Sequence, residues 1–466
     1  MDTNAVDAAL VAARDDGDAA RDDLETLVRI PSISADPAHA ADVDASAAAV
    51  AELMRDAGLH DVRELRVGTG HPYVVGEWTG RPDAPTVLLY AHHDVQPPGF
   101  VERWSSDPFE PHERDGRLFG RGSADDKAGA VAHVAAVRAW LRTAGELPCN
   151  VKVLVEGEEE IGSPLLAEFL DAHVDALRAD VLVLADAGNW AVGVPGLTYS
   201  LRGYAGVDVR VRALDGPVHS GMAGGAVPDP VFALAQLLAT LVDDRGDPAF
   251  DDCWNDYTPP ADDERARLDA LPQNLTGLRR AWGMRDGVEL AGDPSVSLWE
   301  RLWLRPSITV IGIDGHPIAG SSNQIVAEAA ARVSLRVGRG QDPDRLNAAL
   351  HRHLERRVPF DLELTVTPLE AAVPAWHCDP TGWAFDAATR ALRDGFGTEP
   401  VCMGVGGSIP FVGPFADAFG GIPSLLLGPA DPGSRIHGED ESLHLGDWHK
   451  LIASEVRILA ELGAGA

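Results

Sequence analysis

Thr86-Val-Leu-Leu-Tyr-Ala-His-His-Asp-Val-Gln-Pro97 sets an unbroken apolar run directly against two histidines and an aspartate. A continuous run of this kind predicts a strand buried on both faces, as in a parallel sheet covered by helices. Two further runs repeat the arrangement: Val151-Lys-Val-Leu-Val155 leads into Glu156-Gly-Glu-Glu-Glu160, and Val181-Leu-Val-Leu-Ala185 leads into Asp186. Helix-like segments at 128–142 and 164–177 separate them. The expected fold class is α/β, with a mostly parallel central sheet flanked by helices.

Ligands in an open α/β sheet bind beyond the carboxyl ends of its strands. One acid or histidine at a strand end is an ordinary cap or turn residue, but three loaded strand ends converge on one crevice. Gly120-Arg-Gly-Ser-Ala-Asp-Asp-Lys127 adds a glycine-rich turn with adjacent acids before a helix, although Asp125 and Asp126 alone would also suit a helix N-cap. Arg435-Ile-His-Gly-Glu-Asp-Glu441 adds His437 in a polar loop after the last apolar run, Ser424-Leu-Leu-Leu427. Carboxylates packed this closely stay ionised only where positive charge compensates them, as two divalent cations would. A His/Asp/Glu donor set without cysteine suits zinc, manganese or cobalt, and the reaction class is metal-assisted hydrolysis.

At 466 residues the chain exceeds one ordinary core, so two domains are expected, or one carrying a large insertion. The first 60 residues read as two helices, one running to Ile30 before Pro31 and one from Val43 to Ala57 before Gly58. From Arg202 the pattern changes to amphipathic strands at 207–212, 308–313 and 329–337, with helices at 230–241 and 344–357. This predicts a smaller α+β domain inserted into the first. The expected boundaries are a catalytic domain over 1–201 and 380–466, with a closing helix at 448–462, and an inserted domain over 202–379. Residues 243–306 show no clear period and receive no assignment.

The formal net charge of −33 repels nucleic acid and anionic membranes, so neither is an expected partner. No apolar run approaches the roughly 18 residues of a membrane span. The first 18 residues are acidic where a secretory leader would be basic, and the four cysteines are far apart without a Cys-x-x-Cys pair. A cytoplasmic location with free thiols is the expectation.

The segments Tyr90-Ala-His-His-Asp-Val-Gln-Pro97, 120–127, 156–163, Ser200-Leu-Arg-Gly203, His219-Ser-Gly221, Gly406-Gly-Ser-Ile-Pro410 and the His437 loop together resemble the M20 metallopeptidases, their dipeptidase branch in particular. The resemblance implies His92, Asp125, Glu160, Asp186 and His437 as ligands of two divalent metal ions per chain, zinc ahead of manganese or cobalt. Asp125 would bridge both ions and precede a cis peptide bond. Asp94 would orient the His92 imidazole, and Glu159 would be the general base toward the attacking water. His93 receives no role.

The inserted domain resembles the family's lid and dimerisation domain. There His219, Asn323 and Arg336 match substrate-contacting positions, with Gly407 and Ser408 on a returning loop. His219 would act in the site of a partner subunit. The implied substrate is a dipeptide with a free C-terminal carboxylate, and the implied assembly is a homodimer through the lid. Val326 replaces a proline common in relatives, and Gly404-Val405 replace a segment often charged in dipeptidases. An N-acyl-amino-acid amidohydrolase of the same family is therefore the alternative, followed by a non-catalytic metal-binding scaffold. A scaffold would not need Glu159 and Asp94 beside its ligands.

Overall fold

The computed structural model describes residues 3–369 and 372–465. The chain divides into two compact units. The first takes the chain up to Tyr199 and returns for Cys378–Met403 and again from Ile409 onward; the second holds Ser200–His377 and Gly404–Ser408.

In the first unit, strands lie in the order His60–Leu65, Tyr73–Trp78, Asn150–Glu156, Thr86–His92, Val181–Leu184, Ser424–Leu426 and Gly196–Leu201. The last of these passes into the second unit at Ser200. Thr86–His92 pairs in parallel with Asn150–Glu156 on one side and Val181–Leu184 on the other, and Ser424–Leu426 is parallel to Val181–Leu184. The strands toward either end run antiparallel to their neighbours. All seven residues of Asn150–Glu156 are buried, including the polar Asn150, Lys152 and Glu156 that share one face, as expected of a central strand covered on both sides. Register puts His92 beside Glu156, so the acid-bearing ends come out level.

Helices Thr3–Asp15, Lys127–Ala144, Trp383–Phe396 and Leu445–Gly463 pack together on this unit. Their Val, Leu, Ala and Trp side chains form the core with Val87, Leu89, Val151 and Val153. Each large apolar side chain fully buried there contributes about 1.5–3 kcal/mol. Two tryptophans bury polar edges without loss: Trp448 Nε1 donates to Ala128 O at 2.9 Å and Trp140 Nε1 to Val456 O at 3.0 Å. Lys127–Ala144 stops at Gly145, which adopts φ 70°, the left-handed cap that glycine takes without a Cβ clash. The single helix expected up to Ile30 is two, Thr3–Asp15 and Gly17–Val28. The Lys127 ammonium donates to Leu27 O and Ile30 O at 2.8 and 2.7 Å, closing the end of the second.

The second unit carries an antiparallel sheet in the order Ser307–Asp314, Glu328–Val337, Gly203–Arg212 and Glu363–Pro368. Alternation sends Val207, Val209, Val211, Ala331, Val333 and Leu335 to one face, against Leu234 and Leu237 and against Leu346, Leu350 and Leu354. Those leucines belong to Pro230–Ala239 and Pro343–Arg357, two helices that begin alike. Asp229 and Asp342 accept the N–H of Val231 and Arg345 at 2.8 and 2.9 Å, and proline follows each cap where an N–H is not needed. The unassigned stretch contains Asp262–Ala270, Leu275–Ala281 and Leu298–Trp303, helices of two turns or so.

Candidate metal centre

Three strand ends, the turn carrying Asp125 and the loop carrying His437 assemble the centre within the first unit. His92 ends its strand fully buried, with Nε2 3.0 Å from Asp125 Oδ1 and 3.8 Å from Asp186 Oδ1. Asp125 sits in the turn before Lys127–Ala144, and its other oxygen, Oδ2, lies 3.1 Å from His437 Nε2. His437 Nε2 is also 3.2 Å from Glu160 Oε2. Ligand-capable atoms of His92, Asp125 and Glu160 form one compact group, and those of His92, Asp126 and Asp186 a second. The five residues singled out from sequence as ligands thus come together, and Asp126 joins them. The peptide bond between Asp125 and Asp126 is cis.

Supporting contacts fix these groups. Asp94 Oδ2 accepts the Ser34 hydroxyl at 2.6 Å and the Glu160 N–H at 3.1 Å. The nearer acceptor for His92 Nδ1 is the backbone carbonyl of Asp94, at 3.1 Å, with the carboxylate Oδ1 at 3.5 Å. A proton on Nδ1 leaves Nε2 as the lone-pair nitrogen facing Asp125 and Asp186. Gln96 holds Glu160 through its backbone N–H (3.1 Å) and its amide Nε2 (3.0 Å). His93 turns away, its Nε2 3.1 Å from Pro72 O, and burial lowers its pKa to about 4, so it stays neutral. Glu159 shares the short helical turn Glu159–Ile161 with Glu160 but belongs to neither ligand group.

The electrostatics describe a site short of positive charge. Burial, and then the Asp186 charge, hold Asp126 well above the carboxylate range; burial does the same to Glu159, with Asp186 and Glu160 adding to it. Burial and Asp125 push Glu160 up to about 7, and burial raises Asp186. Hydrogen bonds with Asp125 and Glu160 raise His437 to about 11. Asp94 Oδ1 and Asp126 Oδ1 are buried with no hydrogen-bond partner among the described residues. Crowded carboxylates, two imidazoles and unpartnered oxygens are a donor set that fits divalent cations of the zinc, manganese or cobalt type.

Two groups are legible only in three dimensions. Glu441, fully buried, accepts N–H groups of the Asp125 turn, and Arg121 pairs with it. In sequence Glu441 is one of three acids after His437, and no spacing distinguishes it.

In the second unit, Val218–His219 pairs with Gln324–Ile325, and Ser220 N donates to Asn323 O at 2.9 Å, so His219 and Asn323 are neighbours. His219 Nδ1 accepts the Gly221 N–H at 3.0 Å, which places the proton of a neutral ring on Nε2. Arg336 stacks over Tyr204 at 5.5 Å. Arg202 donates to Gly406 O at 3.2 Å, tying down the loop of Gly407 and Ser408, and to Ser307 Oγ at 3.0 Å. Burial and the Arg336 charge lower Arg202 to about 10.

A mixed α/β fold whose strand ends gather His, Asp and Glu defines a hydrolase of the metallopeptidase class. Residues 88–461 match peptidase family M20/M25/M40, and the chain belongs to that family. It is 33% identical over 444 residues to a cysteinylglycine-S-conjugate dipeptidase of Corynebacterium striatum, covering 95% of each chain. It is 27% identical to a Cys-Gly metallodipeptidase of Saccharomyces cerevisiae, over 91% of each. Human carnosine dipeptidase 1 superposes with a TM-score of 0.85 at 25% identity, over 99% of each chain. Among the described residues no helix is long and apolar enough to cross a membrane.

Proposed function

We propose that the chain is a metallodipeptidase that binds two divalent cations, zinc first among them, and hydrolyses dipeptides bearing a free C-terminal carboxylate. The observation that carries this reading is the pair of donor groups meeting at His92, with Asp125 offering one oxygen to His92 and the other to His437. The dipeptidase relatives named above, similar over nearly the full chain, support the substrate class.

His92, Asp125 and Asp186 would hold one cation and Asp125, Glu160 and His437 the other, with Asp125 shared between the two sets. Bound cations supply polarisation of the scissile carbonyl and a water acidic enough to attack near neutral pH. Glu159, buried beside the ligands and ionised once positive charge offsets the neighbouring carboxylates, takes the proton from the attacking water. It then returns that proton to the leaving amine. Asp94 keeps His92 and Glu160 in place through its carbonyl and carboxylate.

The second unit serves as a lid and dimerisation domain. Arg336 clamps the substrate carboxylate; neither it nor Arg202 pairs with an acid among the described residues, so the pair offers net positive charge. Asn323, Gly407 and Ser408 contribute polar contacts to the peptide. His219, with its proton on Nε2, donates to the carbonyl oxygen in the site of a second copy. Dimerisation is supported by the Ser307–Asp314 edge strand, whose Ile311 and Ile313 are 57% and 65% exposed, and by Phe232 at 73% on the Pro230–Ala239 helix. Exposed apolar side chains on an open sheet edge favour a self-association surface. The four free cysteines support a reducing, cytoplasmic setting.

A hydrolysis panel tests the reading. Free dipeptides should be cleaved by the metal-loaded protein and N-acetyl or N-succinyl amino acids left intact. Preference for the acylated amino acids would move the protein to the amidohydrolases.

A further inference from the structure

Glu441 lies 316 residues from Asp125 in sequence, yet its Oε1 accepts the backbone N–H of Gly122, Ala124 and Asp125 at 3.1, 3.0 and 3.2 Å. Its own carbonyl accepts the Gly120 N–H at 3.1 Å. Three converging N–H groups form a concave anion seat, and the carboxylate of the His437 loop fills it. Gly122 makes the seat possible: its φ is +82°, and a Cβ there would meet Val95 Cγ1 at 2.7 Å. The other oxygen, Oε2, receives Arg121 Nη1 at 2.5 Å, with both side chains at or below 1% exposure. Arg121 Nη2 donates to Pro97 O and to Gly438 O, each at 3.2 Å. One buried pair thus joins three segments: the turn carrying Asp125, the loop carrying His437, and the Gln96–Pro97 segment, where Gln96 holds Glu160.

A buried ion pair is a poor source of net stability, since desolvating both charges offsets their attraction. It is a good source of geometry, because every hydrogen bond it makes has a fixed direction. We propose that Glu441, backed by Arg121, is a positioning residue that sets the spacing of Asp125 and His437, and through Pro97 of Glu160, and so tunes the cation site those three side chains share. This rests on the metallodipeptidase reading above. Glu441 itself belongs to neither donor group, its oxygens being taken up by the three N–H groups and Arg121.

Glu441→Gln isolates the effect because the amide cannot satisfy both sides. If its oxygen faces the three N–H groups, its NH2 faces the Arg121 guanidinium, and the flipped amide fails the N–H groups instead. The control is Glu264→Gln in the second unit, which breaks another buried pair, Arg339 Nη1 to Glu264 at 2.8 and 2.9 Å. Apo protein of each kind is titrated with Co²⁺ at a temperature where circular dichroism shows it folded, reading visible absorption and dissociation constants.

Glu441→Gln should weaken one of two Co²⁺ equivalents by about 10- to 100-fold, the range for groups that orient metal ligands, and change its absorption band. Glu264→Gln should match wild type in both. A Glu441→Gln protein with wild-type affinity and spectrum would overturn the proposal while leaving the metal reading intact. Wild-type protein that takes up no Co²⁺ would overturn the metal reading and the proposal with it. Should Glu441→Gln not fold, Arg121→Lys is read in the same way. It keeps a charge for Glu441 but shortens the reach to Pro97 O and Gly438 O, so a weakened equivalent supports the proposal and an unchanged one overturns it.

Discussion

His437, more than half exposed on its loop, directs Nε2 to the buried carboxylate of Asp125 at 3.1 Å. An exposed histidine does not ordinarily sit this close to two acids, and Glu160 is 3.2 Å away on the same nitrogen. Held without a cation, the arrangement favours a protonated imidazole; cation binding requires that proton to leave.

The metal-free protein therefore has a definite pH response. Glu160 is raised to about 7 and His437 to about 11, so the folded state holds protons that the unfolded chain has released. Stability from both is present at low pH and lost as pH rises, for Glu160 between about 4.5 and 7 and for His437 from about 6.5 upward. The melting temperature of EDTA-treated protein should fall from pH 5 to pH 9, whereas saturating Zn²⁺ should remove the decline. A metal-free melting temperature that climbs across this range would contradict the assignment.

Arg336 provides a substrate-level test. A guanidinium that clamps the C-terminal carboxylate makes amidated dipeptides poor substrates, with kcat/KM lower by at least about 10-fold, the loss expected of a charge-assisted hydrogen bond. Arg336→Met should bring free and amidated forms to the same low level. Equal kcat/KM for the two forms in the wild type would remove Arg336 from this role.

The cross-subunit role of His219 is tested by mixing. His219→Ala should keep its metals and lose about 10²- to 10³-fold in kcat, as for removal of one donor to a developing oxyanion. Co-expressing Glu159→Ala with His219→Ala and isolating the mixed dimer leaves one site with both groups intact, if the histidine acts across the dimer. About half of wild-type activity should return. A mixed dimer as inactive as its parents would refute the arrangement.

The apolar runs at 86–91, 151–155 and 181–185 announced the sheet because strands buried on both faces carry few polar positions, Lys152 among them, to blur the pattern. The same runs pointed to where His92, Glu160 and Asp186 gather, since ligands in such sheets occupy the carboxyl ends. Three features were hidden for physical reasons. Asp262–Ala270 buries only Glu264 and Leu268, too few side chains to give a helical period. Glu441 and Arg121 act through partners more than 300 residues apart, which local spacing cannot reveal. Asp126 looked like a helix cap, yet its side chain makes no capping bond and faces His92, whose N–H lies 3.3 Å from Oδ2.

The division of labour between adjacent glutamates tests the central claim most directly. Glu159→Gln and Glu160→Gln are purified, and each is measured for metal by elemental analysis and for dipeptide turnover. Glu159→Gln should carry two metals per chain and lose at least about 10²-fold in kcat, the usual scale for removing a general base. Glu160→Gln should lose metal. Equal metal content in the two variants, or full turnover by Glu159→Gln, would contradict the account.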